Sequence, residues 1–74
     1  MLRVCALIKV IPPRTSAVLK LIKDFKEIEK AYMAYGRFDL VAFWNARDYK
    51  EVRAISGKIN SIKGVRSTET LVEA

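Results

Sequence analysis

The chain begins with an apolar run whose pattern predicts a β-strand. Residues 2–11 are mostly aliphatic and β-branched, interrupted by Arg3 and Lys9, as is typical of a strand with apolar side chains on both faces. Pro12 and Pro13 follow, and proline lacks the amide N–H that a sheet ladder requires. The first strand is therefore expected to end at Ile11.

The next segment predicts an α-helix. Thr15 or Ser16 is placed to cap its first turn. Apolar residues then recur at the i, i+3, i+4, i+7 spacing that gives a helix one buried face; they are Val18, Leu21, Ile22 and Phe25. Lys20, Lys23 and Asp24 lie between them and are expected to face solvent.

Two further strands joined by a short turn are predicted next. Side chains alternate loosely over residues 28–35, as in a second strand. Gly36 ends this strand, and residues 36–38 form the turn because glycine adopts positive φ without strain. An apolar run over residues 38–46 supplies the third strand, so the two strands form a hairpin.

A second helix and a last strand complete the chain. Asp48 followed three residues later by Glu51 matches a capping box. The inner face of this helix carries Val52, Ile55, Ile59 and Ile62. Gly64 stands where a left-handed C-cap glycine is expected. Residues 65–74 mix apolar and polar side chains, as in a strand near the edge of a sheet.

The resulting βαββαβ order predicts the α+β class and a ferredoxin-like split, with a four-stranded antiparallel sheet and two helices on one face. An internal echo supports this order, because a shift of half the chain length places Ile22 on Ile59 and Phe25 on Ile62. The whole chain, residues 1–74, is expected to form a single domain.

The two central strands of this sheet are apolar on both sides, although the helices can cover only one. In the first strand Leu2, Val4, Ala6, Ile8 and Val10 alternate with Cys5, Leu7 and Ile11, and in the third strand Phe38, Leu40, Ala42 and Trp44 alternate with Val41 and Phe43. Whichever set faces away from the helices leaves an apolar patch uncovered. Such a patch exceeds what a monomer usually exposes. A second copy is therefore expected to pack sheet to sheet, giving a homodimer.

Composition agrees with one small folded domain. The chain has 74 residues, of which 51% are hydrophobic and 30% charged, a profile that excludes a disordered tail. With one cysteine and no histidine, an internal disulfide is excluded and neither a metal nor a cofactor is expected. Cys5 lies in an apolar run and is interpreted as a buried filler rather than a nucleophile.

Charge and hydropathy bear on partners. The chain has 14 basic and 8 acidic residues, for a net charge of +6, which suits an anionic partner. The basic residues are scattered, however, and no run of five like charges occurs, so a solvated surface is the simpler interpretation. No apolar stretch approaches the ~20 residues of a membrane span and no secretory leader opens the chain. We expect a cytoplasmic protein without a membrane partner.

Two strings of residues carry a family resemblance. The string AYMAYGRFDLV, residues 31–41, contains a G-x-x-D hairpin, and IKGVRSTET, residues 62–70, contains G-V-x-x-T-x-T. At this spacing the chain resembles, over essentially its whole length, the effector-binding domain of the Lrp/AsnC (feast/famine) transcription regulators. Met1 opens the first strand where that family has a DNA-binding helix-turn-helix. The resemblance therefore implies a stand-alone RAM module without direct DNA binding.

The resemblance also implies a ligand and an assembly. Domains of this type bind amino acids between dimers, and four dimers form a ring of eight chains, an octamer. By position, the implied ligand-binding residues are Tyr35, Gly36, Arg37, Asp39, Thr68 and Thr70. Asp39 would pair with the ligand ammonium, and the two threonines would come from a neighbouring subunit. Co-assembly with full-length Lrp/AsnC regulators is a further implied partnership.

Other interpretations of these residues stay open. Gly36 can serve only as a turn residue, Asp39 can bond only backbone groups, and the threonines can simply favour the strand. Related dimeric α+β barrels include cofactor-independent enzymes, but without histidine the ordinary general base is missing. Asp39 or a tyrosine is then the alternative base. A small basic nucleic-acid-binding protein is the other alternative, although neither an RRM signature nor a recognition helix is present.

Overall fold

The computed structural model describes residues 1–73. It contains one four-stranded antiparallel sheet. The elements in chain order are β1 (Leu2–Val10), α1 (Thr15–Lys23), β2 (Ile28–Met33), β3 (Leu40–Ala46), α2 (Tyr49–Asn60) and β4 (Val65–Glu73). A short 3₁₀ turn, Pro12–Arg14, leads from β1 into α1. The predicted βαββαβ order and α+β fold are confirmed. Ala74, the last residue of the predicted fourth strand, lies outside the described residues.

The strands lie side by side in the order β2-β3-β1-β4. β1 pairs with β3 from Leu2 opposite Ala46 to Ile8 opposite Leu40. On its other side β1 pairs with β4, where Thr68 lies opposite Ile8. The first and third strands are thus the central ones, as predicted, and the fourth strand is an edge.

The core lies between the sheet and the two helices. The fully buried side chains of the central strands are Val4, Ala6, Ile8, Leu40, Ala42, Trp44 and Ala46. The helices contribute Val18, Ile22, Val52, Ile55 and Ile59, all buried. These helix positions follow the predicted inner faces, so one face of the sheet is closed by apolar side chains from its own chain.

Helix α1 departs from the prediction at two points. Leu21, expected to be buried, is 44% exposed, while Leu19 packs against the core. At about 100° per residue, Leu21 lies about 60° from Val18 on the side away from Ile22, and the core meets the other side. The predicted cap is also wrong, because the 3₁₀ turn continues into the helix and Thr15 Oγ1 donates to the Pro12 carbonyl instead.

Helix α2 begins as predicted but ends differently. The Glu51 N–H donates to Asp48 Oδ1 at 2.9 Å, which confirms Asp48 as the N-cap. The helix ends at Asn60 with Ser61 as its C-cap, so Gly64 is not the C-cap. Gly64 does adopt a positive φ of 104°, but it does so in the turn that leads the chain into β4.

The strand ends around the hairpin are shorter than predicted. β2 stops at Met33 and β3 starts at Leu40, so the loop covers residues 34–39 rather than 36–38. The Ala34 N–H closes this loop by donating to the Asp39 carbonyl at 2.9 Å. β1 likewise ends one residue early, at Val10, and the Ile11 N–H bonds the Gly64 carbonyl.

Candidate functional site

Asp39 lies where the hairpin loop joins β3, and it fastens that loop to β1. Its backbone N–H donates to the Ile8 carbonyl at 2.9 Å, and its Oδ2 accepts from the Val10 N–H at 2.8 Å. The Asp39 carboxylate thus takes the place of the backbone carbonyl that would accept from the Val10 N–H if the pairing of β1 with β3 continued further. The sequence left two interpretations of Asp39, ligand binding and bonding to backbone groups. Bonding to backbone groups is part of what Asp39 does.

The second oxygen of Asp39 is free for another donor. Asp39 is half-buried, and no hydrogen bond from the other described residues reaches its Oδ1 atom. A carboxylate has about four lone-pair positions on its two oxygens. Asp39 can therefore hold the Val10 N–H and accept from a cationic group at the same time.

The tip of the hairpin projects from the sheet. Gly36 has φ of 118°, and a Cβ placed there would meet nothing within 4 Å. Tyr35 is fully exposed, at 104%, and Arg37 is exposed beside it. The sequence-predicted residues Tyr35, Gly36, Arg37 and Asp39 are thus neighbours on one loop, and a single chain leaves the outer side of that loop open.

Thr68 and Thr70 belong to a different part of the molecule. Both lie on the helix side of β4, where the hydroxyls of Thr70 and Ser56 share a hydrogen bond of 2.7 Å. Thr68 Oγ1 donates to Asn60 Oδ1 at 3.2 Å. β1 runs between β4 and β3, so the backbones of β4 and β3 are two strand spacings apart, or about 10 Å. Within one chain the threonines therefore do not meet Asp39.

The helix-free side of the sheet is apolar at its centre; we name it the open face. Its apolar members are Cys5, Leu7, Tyr32, Val41, Phe43 and Leu71. Tyr32 and Leu71, at the two margins, are 44% and 51% exposed. Ile11, which alternation in the sequence groups with Cys5 and Leu7, lies beyond the end of β1. The prediction that the central strands are apolar on both sides is otherwise confirmed.

Charged side chains also lie on the open face, and the sequence pattern did not predict them. Lys30 Nζ lies 5.2 Å from the centre of the Phe43 ring, and Arg3 lies 5.7 Å from the same ring. Arg3 also pairs with Glu29 at 3.0 Å. Strand alternation alone places Arg3 here, but Glu29 reaches it because a bulge shifts the register of β2 between Ile28 and Lys30.

Cys5 lies at the centre of the open face with a free thiol. Burial raises the pKa of the Cys5 thiol, because the low-dielectric surroundings disfavour the thiolate. A reactive cysteine needs the opposite shift. The thiol therefore behaves as a small apolar group, in agreement with its interpretation from the sequence.

Two other features of the described residues bear on the kind of site. Within residues 1–73, no three side chains of His, Cys, Asp or Glu lie close enough together to hold a metal ion. Over the same residues, neither helix has the length and apolar character needed to cross a bilayer.

Comparison with solved structures places the fold among known ones. TTHA0845 from Thermus thermophilus superposes with a TM-score of 0.94 at 29% sequence identity, covering 100% of this chain and 94% of that one. AsnC from E. coli superposes at 0.89 with 20% identity over 97% of this chain, which spans only 50% of AsnC. No curated protein sequence matches the chain.

An enzyme shares the same fold. The siroheme decarboxylase NirDL, solved with an iron-uroporphyrin III analogue, superposes with a TM-score of 0.85 at 17% identity, covering 97% of this chain and 25% of that one. Identities this low show common architecture alone. The profile of the Lrp/AsnC ligand binding domain, by contrast, matches residues 3–73, and the chain therefore belongs to the Lrp/AsnC ligand-binding domain family.

Proposed function

We propose that this chain is a non-enzymatic, cytoplasmic sensor module that binds a free amino acid or a closely related metabolite. The observation that carries the proposal is the Asp39 carboxylate, with Oδ2 held by the Val10 N–H and Oδ1 open beside an exposed glycine hairpin. Membership of a ligand-binding domain family supports a small-molecule role.

The chemistry of an amino acid fits this loop. Its α-ammonium requires an acceptor, which Asp39 Oδ1 supplies, and its α-carboxylate requires donors such as backbone N–H groups. Gly36 has no Cβ, so a ligand can approach the backbone of Tyr35, Gly36 and Arg37 closely. Because Asp39 is anchored to Val10, its carboxylate is held in place before the ligand arrives.

A second chain is needed to close the site. The hairpin tip is exposed, and a ligand pocket normally buries most of its ligand. In the proposed assembly, dimers form a ring of eight chains, and Thr68 and Thr70 of a neighbouring dimer face the hairpin. Each hydroxyl already bonds α2, but a hydroxyl has one donor and two acceptor positions, so each can make further hydrogen bonds. Full-length regulators of the same family are candidate partners in mixed rings.

Thermal unfolding in the presence of each of the twenty amino acids tests the proposal. A ligand at about a hundred times its Kd adds about 2.7 kcal/mol of stability, so a subset of amino acids should raise the Tm. Asp39→Asn keeps an oxygen that can accept from Val10 but removes the charge, and should abolish the response. Asp24→Asn, an exposed acid at the end of α1, is the matched control and should respond as the native chain does.

Two outcomes would contradict the proposal. One is an unchanged Tm with all twenty amino acids; the other is a full response that persists in Asp39→Asn.

Catalysis on a tetrapyrrole is the second candidate function, motivated by the fold shared with the siroheme decarboxylase. Titration with an iron porphyrin carrying carboxylate side chains discriminates, since binding would shift the Soret absorption and the sensor proposal expects no shift.

A further inference from the structure

The fold gathers basic residues at the end of the sheet that carries the hairpin. At this end β1 finishes while β3 and β4 begin, and backbone hydrogen bonds join the neighbouring segments. The segments that meet there are residues 8–15, 34–40 and 60–67. They contain one acid, Asp39, and five basic residues, which are Lys9, Arg14, Arg37, Lys63 and Arg66. Four of the six net positive charges of the chain therefore belong to this end.

These five cations are not paired with carboxylates of their own chain. Arg14 donates to the Lys63 carbonyl, and the other four basic side chains are exposed. The ion pairs formed among residues 1–73 involve other cations, namely Arg3 with Glu29, Arg47 with Glu51 and Lys58 with Glu27. This end of the molecule thus offers positive charge for an anion that the chain does not supply.

Lys9 lies directly beside the candidate site. Asp39 bonds the residues on both sides of Lys9, because its N–H donates to the Ile8 carbonyl and its Oδ2 accepts from the Val10 N–H. Lys9 is exposed, and it forms no ion pair with Asp39 or with any other described residue. A ligand whose ammonium binds Asp39 Oδ1 therefore binds next to an unpaired lysine.

Glu69 is the next carboxylate along the sheet, and it does not pair with Lys9. Where β1 runs beside β4, Ser67 lies opposite Lys9 and Glu69 lies opposite Leu7. Glu69 is thus the diagonal neighbour of Lys9, about 7–8 Å away, and both side chains are exposed. Even with Glu69 included, this end has five basic groups against two acidic ones.

A neighbouring chain in the proposed ring brings no further acid with its threonines. Glu69 and Glu73 lie opposite Leu7 and Arg3 on the open face. Alternation places Thr68 and Thr70 on the other side of β4, where the described residues include no carboxylate. The charge of Lys9 is therefore left for the ligand to balance.

We infer that the ligand is an amino acid with an acidic side chain, and that Lys9 binds its side-chain carboxylate. The inference rests on the proposed function and names the class of amino acid that the site takes. The α-ammonium binds Asp39 Oδ1, and the α-carboxylate binds backbone N–H groups of the hairpin. The second carboxylate binds Lys9, so that each charge of the ligand has a partner.

Charge balance favours an acidic side chain over a neutral one. Once the ligand ammonium neutralises Asp39, a neutral side chain leaves Lys9 beside that ammonium without a counter-charge. Like charges at close range repel each other, and covering an unpaired charge with a ligand is costly. A second carboxylate removes both costs. A basic side chain would add one more cation to the site and is therefore excluded.

Arg37 and Arg66 add to the positive field around Lys9. Arg37 precedes Asp39 by two residues on the hairpin, and Arg66 is the extra residue in the bulge of β4 opposite Lys9 and Val10. Both side chains are exposed. They attract an anionic ligand to this end of the molecule, whereas Lys9 contacts it.

Pairs of amino acids that differ in charge but hardly in shape test the inference. Thermal unfolding at fixed ionic strength gives the apparent Kd for L-glutamate against L-glutamine, and for L-aspartate against L-asparagine. At least one acidic amino acid should bind about tenfold or more tightly than its amide, and L-lysine and L-arginine should give no response. A response to neutral amino acids without one to either acid would overturn the inference and leave the proposed function standing. No response to any of the twenty would overturn both.

Variants of Lys9 test which residue gives the preference. Lys9→Gln should reduce the preference for the acid over its amide to within about threefold, while Lys9→Arg keeps the charge and should retain the preference. Lys20→Gln, on the exposed side of α1, is the matched control and should behave as the native chain does. A tenfold preference that survives in Lys9→Gln would overturn the role of Lys9.

Glutarate separates binding at the site from general attraction to a basic surface. It has the two carboxylates of glutamate but no ammonium, so it cannot engage Asp39 and should raise the Tm far less than glutamate does. Equal stabilisation by glutarate or by inorganic phosphate would show a surface that takes any anion, and would overturn the inference.

Discussion

Gly36 and Gly64 adopt backbone angles that other residues rarely accept, and for different reasons. Both have positive φ, 118° and 104°. At Gly36 a Cβ would meet open space, whereas at Gly64 it would lie 2.8 Å from the Cβ of Arg14. Arg14 is held there by hydrogen bonds to the Lys63 carbonyl. Gly64 therefore satisfies both a conformational and a packing requirement.

Alanine at the three glycines should separate these effects. Gly64→Ala should destabilise the fold most, by about 2 kcal/mol or more, because backbone strain adds to the clash. Gly36→Ala should cost about 1 kcal/mol from strain alone. Gly57→Ala, inside α2 with nothing within 4 Å, should stabilise by about 0.5 kcal/mol. Urea unfolding measures all three, and an equal loss at Gly36 and Gly64 would contradict the role given to Arg14.

At the scale of elements, helix α2 is fixed at its start by side chains. Asp48 Oδ1 accepts from the Glu51 N–H. The Glu51 carboxylate in turn accepts from the backbone N–H and Nε of Arg47, one residue before the usual partner in a capping box. α1 has no side-chain cap of this kind.

Removal of the α2 cap should therefore weaken the fold. Asp48→Ala should lower the free energy of unfolding by about 1 kcal/mol, and Asp48→Asn by less, because asparagine caps nearly as well. Thr15→Ala is the comparison at α1 and should have a smaller effect, since Thr15 caps no N–H of that helix. Chemical denaturation gives all three values. An Asp48→Ala protein as stable as the native chain would exclude the capping role.

These two helix starts show which elements the sequence can reveal. The Asp48 cap spans three residues, so a local pattern is sufficient to predict it. The start of α1 depends on a 3₁₀ turn that merges with the helix, and the propensities of single residues do not encode such a merger. Element order and the buried faces followed from periodicity, because alternation in strands and the helical repeat are both local.

The candidate site was predictable only in part. The sequence placed Asp39 beside a glycine turn, but its bond to Val10 joins residues 29 apart in the chain and depends on how β1 and β3 end. Thr68 and Thr70 share a face, as residues two apart in a strand must. Their contacts with Asn60 and Ser56 depend on where α2 crosses the sheet, which no local pattern specifies.

At the scale of the whole molecule, Cys5 reports on the covering of the open face. Desolvation raises the pKa of the Cys5 thiol, so less thiolate is present at a given pH than in an unfolded chain. Alkylation of Cys5 should therefore begin at higher pH than alkylation of a free cysteine. A second copy that covers the face would slow the reaction further.

Dilution separates these two contributions. The rate of Cys5 alkylation at fixed pH should increase as the protein is diluted through its dimer Kd. Mass spectrometry of the modified chain measures the rate. A rate that is the same at all concentrations would mean that the thiol is shielded only by its own chain.

The apolar centre of the open face has a consequence for which chains can associate. In the proposed dimer, Cys5 lies in the middle of the contact, where a larger side chain of a related domain would overpack the interface. The mixed pair would then be weaker than the pair formed by this chain alone. The size of one side chain would thus sort self from paralogue in a cell that holds several such domains.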